Sequence, residues 1–146
     1  MSKLIRVFTV LAFGLMLTAC NGQSKKKEQS LAKSGSKIEV IDFHSTNRCM
    51  TCNAIEANTR YTLNTYFSDE LKESKITFQS INIDEKKNEK IAEKFEAAGT
   101  SLFINVIKNG KETKINLTNF AFMKGNDQAA FSKELKAKID AELKTL

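Results

Sequence analysis

The sequence contains no proline, no tryptophan and a single histidine among its 146 residues. Without proline, no position offers the X–Pro bond in which cis peptides almost always occur. The one histidine, His44, and the lack of a second Cys-x-x-Cys pair leave a tetrahedral zinc site short of ligands. The apolar stretch from Val7 to Leu17 is too short to span a bilayer comfortably.

The charge pattern argues against nucleic-acid binding. The formal charge is +6, but the basic residues are scattered and interleaved with Glu and Asp, and no cluster of Arg and aromatic residues recurs. A mildly basic, solvated surface is expected instead. Hydrophobic residues make up 41% of the chain and charged residues 27%, which is ordinary for a globular domain. The length allows one domain with one modest core.

The first twenty residues have the layout of a secretory signal. Lys3 and Arg6 precede the apolar stretch, and Leu17-Thr18-Ala19-Cys20 resembles the lipobox of bacterial lipoproteins. We therefore predict a signal peptide over residues 1–19, lipid attachment at Cys20, and export to the periplasmic or cell-surface side of a bacterial membrane. The alternative is a plain cleavable signal with an incidental cysteine. Residues 20–37 are polar and predict a lipidated tether, and residues 38–146 form the domain.

Hydrophobic periodicity predicts seven elements in that domain. Asn109-Gly110 between two β-like runs indicates a hairpin, and Gly99 is expected to end a helix with a positive φ. The predicted order is β-α-β-α-β-β-α, an α/β fold with helices on both faces of a mixed sheet. The elements are strand 38–44, helix 49–67, strand 75–83, helix 87–98, strand 102–107, strand 113–117 and helix 128–146.

Cys49-Met50-Thr51-Cys52 places two thiols one turn apart at the start of a helix that follows a strand. Backbone N–H groups and the helix dipole stabilise a thiolate there, so Cys49 is expected to be the more acidic and exposed thiol. Cys49 would attack a partner and Cys52 would resolve the mixed disulfide. The alternatives are a structural disulfide and a two-thiolate site for a soft metal or metalloid such as arsenite or Cu(I).

The sequence resembles thioredoxin in Val40-Ile-Asp-Phe, the loop to the CxxC, and Gly99-Thr-Ser-Leu-Phe-Ile-Asn-Val-Ile-Lys-Asn-Gly at the hairpin. The match covers residues 38–146 and indicates the shorter, glutaredoxin-sized form. The resemblance implies a thioredoxin-like fold and a redox-active Cys49–Cys52 disulfide, with no bound cofactor. Ser101 occupies the place of thioredoxin's cis-proline, a departure that strengthens the metal or metalloid alternative.

Within that superfamily, Phe43-His44, Arg48, the CxxC and Glu56 resemble the F-H-x-x-x-R-C-x-x-C-x-x-x-E pattern of the small-subunit family of nitrophenyl-compound nitroreductases encoded in arsenic-resistance operons. This resemblance implies a redox subunit that delivers electrons to a protein partner acting on nitrophenyl arsenicals. The expected partners are a membrane-embedded electron donor or a nitroreductase subunit, and the membrane through the lipid anchor.

Four residues near the cysteines are candidate site residues, each with a plainer alternative. Asp42 lies seven residues before Cys49, one further than thioredoxin's buried aspartate, and handles protons or is only an inward-facing strand residue. Arg48 favours the thiolate or is a solvated loop side chain. His44 supplies a second cation or a hydrogen bond to the loop. Glu56 exchanges protons near Cys52 or pairs with Arg60 one turn along the helix.

Overall fold

The computed structural model describes residues 35–146. The predicted signal peptide, Cys20 and nearly all of the tether lie outside the described residues. Four strands and five helices are described, together with a short 3₁₀ turn at Lys86–Asn88. They are β1 Lys37–His44, α1 Met50–Tyr66, α2 Ser68–Lys72, β2 Ile76–Asn82, α3 Glu89–Lys94, β3 Ser101–Lys108, β4 Lys111–Asn116, α4 Thr118–Lys124 and α5 Gln128–Leu143.

The strands form one mixed sheet in the order β2-β1-β3-β4. β1 and β2 run parallel, and α1 connects them, because parallel neighbours need a crossover. β3 lies antiparallel to both β1 and β4. The mixed sheet predicted from the sequence is confirmed. Because β3 runs antiparallel to β1, the loop after β1 and the start of β3 lie at the same end of these strands.

Side chains alternate along β1 between two apolar layers. Ile38 and Val40 pack into the larger core with α1 and α5, while Ile41 and Phe43 face the smaller core with Phe95. Helices therefore cover both faces, as predicted. The smaller core is an aromatic cluster in which the ring centroids of Phe43, Phe95 and Phe103 lie 5.3–5.9 Å apart.

The end of α3 differs from the prediction. The helix stops at Lys94, and Glu96, rather than Gly99, has the positive φ (53°) that turns the chain toward β3. Phe95 is buried at the helix end, and the amide of Ala97 bonds back to the carbonyl of Ala92 at 2.9 Å. This hydrogen bond closes the turn at Glu96, three residues before Gly99, so Gly99 is not the helix cap.

Two short helices, α2 and α4, lie outside the predicted element order. α4 follows the hairpin, and its buried Ala121 and partly buried Phe120 pack against the larger core, with the Phe120 and Phe131 rings 5.0 Å apart. Among residues 35–146 no helix is both long and apolar enough to cross a membrane.

Candidate functional site

The loop after β1 ends at Cys49, which is the N-cap of α1. Its Sγ accepts a hydrogen bond from the Cys52 amide at 3.0 Å, and the two sulfurs form a disulfide of 2.07 Å. Cys49 is exposed, whereas Cys52 is buried. The Cys49 sulfur is therefore the one that an incoming molecule reaches, and it lies among the amide donors that stabilise a thiolate.

Asp42 is fully buried on the sheet face covered by α1. Its Oδ2 accepts a hydrogen bond from Arg48 Nη2 at 2.9 Å and lies 3.5 Å from Ser80 Oγ, while its Oδ1 accepts no hydrogen bond within residues 35–146. Burial raises the pKa of Asp42 to about 7, although the Arg48 charge opposes this. This carboxyl can hold or release a proton near neutral pH.

Arg48 joins the end of β1 to α1. Its guanidinium pairs with Asp42 at 2.9 Å and also with Glu56, and only 18% of its side chain is exposed. It is therefore not a solvated loop side chain. The predicted effect of this cation on the Cys49 thiol stays a prediction.

Glu56 is shared between two arginines. Its carboxylate accepts hydrogen bonds from Arg48 and from Arg60, the latter at 2.7–2.8 Å. Burial raises the pKa of Glu56, but the hydrogen bonds from both arginines outweigh it and leave the pKa below its ordinary value. The predicted pairing with Arg60 is present, and the contact with Arg48 adds to it. Asp42, Arg48, Glu56 and Arg60 are called the Arg48 cluster below.

Within residues 35–146, His44 makes no hydrogen bond or ion pair with the Arg48 cluster. It is half-buried at the end of β1, and its Nδ1 is 2.9 Å from the backbone carbonyl of Ser45. This contact is the hydrogen bond to the loop that the sequence suggested as one of two roles.

The start of β3 lies beside the end of β1, where Ser101 pairs with Phe43. Ser101 is buried, its hydroxyl donates to the carbonyl of Gly99 at 3.0 Å, and its peptide bond is trans like all others in residues 35–146. Thr100 and Ser101 border a groove of about 520 Å³ that is also lined by Thr118 and Asn119 of α4.

Two contacts near the cysteines were not predicted. Ser80 approaches Asp42 because the two residues are partners in the parallel register of β1 and β2. Gly125, directly after α4, lies against the first turns of α1, and its carbonyl accepts a hydrogen bond from Asn58 at 2.8 Å. No local sequence motif predicts either contact, because each depends on how separate elements pack.

The side chains near the disulfide do not form a larger metal-binding group. No group of three or more His, Cys, Asp or Glu residues that could hold a metal ion occurs within residues 35–146. The two-thiolate alternative needs only Cys49 and Cys52, which are bonded to each other here.

Comparison with known proteins identifies the fold. The alignment with the Trx4 domain of ERdj5 covers 75% of this chain and 82% of that domain's chain, at 14% sequence identity and a TM-score of 0.51. A thioredoxin from Fasciola hepatica (20% identity, 73% and 81% of the two chains, TM-score 0.44) and one from Thermus thermophilus (19%, 70% and 74%, 0.45) also match. No protein-family model and no curated protein matches.

The chain therefore has a thioredoxin-like fold, as predicted. Its Cys49–Cys52 disulfide lies at the start of α1. The resemblance to the small subunits of nitrophenyl-compound nitroreductases stays a prediction.

Proposed function

We propose that this protein is a thiol–disulfide oxidoreductase that cycles Cys49 and Cys52 between dithiol and disulfide. The observation that carries the proposal is the asymmetry of the pair. Cys49 is exposed, and its Sγ accepts a hydrogen bond from the Cys52 amide at the start of α1. Cys52 is buried, and its sulfur is bonded to that of Cys49.

The electron and proton transfers follow from that asymmetry. The Cys49 thiolate attacks one sulfur of a partner disulfide, forming a mixed disulfide and releasing the other sulfur as a thiolate. Cys52 then loses its proton and attacks Cys49 Sγ, so that the Cys49–Cys52 bond forms and the partner's second sulfur leaves. Two electrons pass from the dithiol to the partner, and a second dithiol partner reduces the protein again.

Asp42 is proposed to accept the proton that leaves Cys52. It lies on the sheet face beneath α1, and its pKa of about 7 makes both protonation states available at neutral pH. Arg48 holds Oδ2, which leaves Oδ1 without another donor among the described residues. Arg48 is thus a positioning residue in this scheme.

The decisive experiment traps the mixed disulfide. With a disulfide-bonded protein substrate, Cys52→Ser should accumulate a covalent adduct through Cys49, whereas Cys49→Ser should form none. Equal trapping by both variants would contradict the assigned roles. Stoichiometric protection of both thiols by arsenite, without any disulfide turnover, would instead support the metalloid-binding alternative.

The finer proposal is a membrane-anchored redox subunit that serves a protein partner, either a membrane-embedded electron donor or a nitroreductase acting on nitrophenyl arsenicals. It is supported by the signal and lipobox pattern up to Cys20 and by the F-H-x-x-x-R-C-x-x-C-x-x-x-E pattern. Two residues of that pattern, Arg48 and Glu56, contact each other beside the disulfide.

Export and anchoring are tested by mass spectrometry of the chain from a bacterial membrane fraction. The expected mature form begins at Cys20 and carries lipid. Cys20→Ala should leave the unprocessed precursor, and an unlipidated mature chain in the wild type would contradict the anchor.

A further inference from the structure

The strand β2 forms one edge of the sheet, and its residues carry no charge. Among residues 35–146, β2 has a strand neighbour on one side only, which is β1. The strand Ile76–Asn82 includes no charged residue, proline or glycine, whereas the other edge strand, β4, carries Lys111, Glu112 and Lys114. Proteins protect an exposed strand edge with charges, proline or a bulge, because an open edge can pair with another strand. The edge of β2 has no such charge or proline.

The hydrogen bonds between β1 and β2 define which backbone groups face this edge. The Ile38 amide donates to the Lys75 carbonyl at 2.8 Å, and the Ile83 amide donates to the His44 carbonyl at 2.8 Å. The backbone groups of odd-numbered residues from 75 to 83 therefore point toward β1, because these directions alternate along a paired strand. The backbone groups of the even-numbered residues point away from β1, toward the open edge.

Two of the outward-facing residues can still pair with another strand through both backbone groups. Ile76 is fully buried, and the Asn82 carbonyl already accepts a hydrogen bond from Asn88 Nδ2 at 2.8 Å. Phe78 and Ser80 lie between them and are partly exposed. Within residues 35–146, no described hydrogen bond reaches the backbone N–H or C=O of either residue. Four backbone groups at the centre of the edge thus lack partners in the described part of the chain.

These four groups match the same four groups on a second copy of the chain. In an antiparallel pair related by a twofold axis through Gln79, Phe78 of each copy lies opposite Ser80 of the other. Each such pair exchanges two N–H···O bonds, so the two pairs satisfy all four groups on both copies. The neighbouring registers would bring in Ile76 or Asn82, whose outward groups are covered or already bonded. The edge therefore favours the register with Gln79 on the axis.

The surroundings of β2 fit the same arrangement. An open groove of about 530 Å³ runs beside residues 79–82 and leaves room for a partner strand. One ion pair lies before the strand, Glu73–Lys75, and another lies after it, Glu85–Lys87. The twofold axis brings the ion pair before β2 of one copy next to the ion pair after β2 of the other. Each lysine then has a carboxylate of the other copy nearby, and the charges balance.

We infer that two copies of this chain associate through β2, in antiparallel register with Gln79 on the twofold axis. The four strands of each copy then form one continuous sheet across the interface. This inference goes beyond the proposed redox function and does not depend on it, because the contact is made by backbone groups of the edge strand and not by the cysteines.

The first test places a like charge on the axis. Gln79 is exposed, so Gln79→Lys leaves the fold intact but sets two ammonium groups opposite each other in the dimer. Thr113→Lys is the matched control, because Thr113 is exposed on the other edge strand, β4. Sedimentation equilibrium of the oxidised full chain should show a wild-type dimer. Its dissociation constant should rise about tenfold in Gln79→Lys and stay within about twofold in Thr113→Lys.

The second test uses a disulfide to report the register. Opposite residues that exchange no N–H···O bonds have Cα atoms about 4.5 Å apart, as expected for Gln79 and its copy. This spacing lies within the range that a disulfide spans. Oxidation should therefore crosslink Gln79→Cys about tenfold faster than Thr113→Cys. Mass spectrometry of the peptides should locate the bond between the two substituted positions.

Three results would overturn the inference. A wild-type chain that sediments as a monomer would show that a second copy does not occupy this edge. A dimer that both lysine substitutions weaken equally, or that neither weakens, would place the contact elsewhere on the chain. Equal crosslinking rates for Gln79→Cys and Thr113→Cys would contradict the proposed register.

Discussion

Arg48 is the residue on which the charge balance of the site depends. It pairs with the fully buried Asp42 and with Glu56, so its removal leaves both carboxyl groups without their shared cation. Removing Arg48 takes away the hydrogen-bond donor of a buried carboxyl group, and an unsatisfied buried polar group costs about 1–3 kcal/mol. Asp42 can take up a proton at pH 7, which limits the cost of leaving it without its cation.

Arg48→Ala is therefore expected to lower the free energy of unfolding by about 2 kcal/mol at pH 7, measured by urea denaturation of the disulfide-bonded chain. Arg60→Ala is the matched control. Arg60 also pairs with Glu56 and stacks 4.6 Å from the Phe78 ring centroid, but it is largely exposed. Its loss should cost about 1 kcal/mol or less, and equal losses would contradict the buried role of Arg48.

The raised pKa of Asp42 makes its contribution to stability fall as pH rises. Its native pKa of about 7 lies above the ordinary 3.8, so between these values the native state holds a proton that the unfolded state has lost. The contribution of Asp42 to the free energy of unfolding is then full below about pH 3.8 and is lost as pH rises to about 7. The total effect is on the order of 4 kcal/mol, at roughly 1.4 kcal/mol per pH unit.

Asp42→Asn should remove this fall in stability between pH 5 and pH 8, as measured by urea unfolding of the oxidised chain. Glu39→Gln is a control of opposite sign. Burial raises the pKa of Glu39, but hydrogen bonds from Lys37 and Asn105 outweigh it, and the net pKa is lowered. Glu39 therefore stabilises the fold above its ordinary pKa of 4.5, and that contribution is lost as pH falls. The Asp42 account is wrong if Asp42→Asn keeps the wild-type pH dependence.

At this scale the cysteines were predictable and their neighbours were not. A CxxC directly after a β-rich run, at the start of a helical period, has one natural placement. Arg48 in a polar loop carries no signal that tells whether it turns to solvent or inward to Asp42. That choice depends on the register of β1 and on the position of α1, which bring Asp42 and Glu56 to the same guanidinium.

Among the elements, the hairpin and the α3–β3 connection use glycine differently. Asn109 and Gly110 both have positive φ, at 51° and 77°, as the two-residue turn between β3 and β4 requires. Gly99 has no positive φ and open space around its Cα, because Glu96 makes the turn after α3.

Gly110→Ala should therefore lower the free energy of unfolding by about 1 kcal/mol, since a Cβ disfavours left-handed backbone. Gly99→Ala, the matched control, should change it by less than about 0.5 kcal/mol. Thermal or urea unfolding of both variants distinguishes the two glycines. A larger loss for Gly99→Ala than for Gly110→Ala would contradict the described turns.

The elements that sequence patterns missed are short or packed on two sides. α4 has seven residues, with Phe120 and Ala121 turned inward and Phe122 and Met123 turned outward, so its apolar residues show no single helical face. The Asn-Gly hairpin and the helix after the CxxC, by contrast, carry strong local signals. Gly99 was expected to cap α3 because glycine usually does so, but the burial of Phe95 ended the helix earlier.

Taken as a whole molecule, the chain places its disulfide where the carboxyl end of β1, the start of α1 and the start of β3 meet. The sheet holds Asp42 beneath α1, and the residue after α4 lies against the first turns of α1. The mixed sheet and its two helical layers were predictable because β1 is a β-rich run, β2 alternates between apolar and polar residues, and α5 has a clear helical period. The contacts between distant elements, such as Thr51 with Asn126, were not.

The central claim is that the Cys49–Cys52 bond is reversibly reduced and oxidised rather than a permanent structural link. Its reduction potential tests this most directly, by equilibrating the chain with glutathione buffers and trapping the free thiols. We expect a reversible two-electron couple between about −270 and −120 mV, the span of thiol–disulfide oxidoreductases. A potential below about −300 mV would show a structural disulfide and contradict the proposed exchange function.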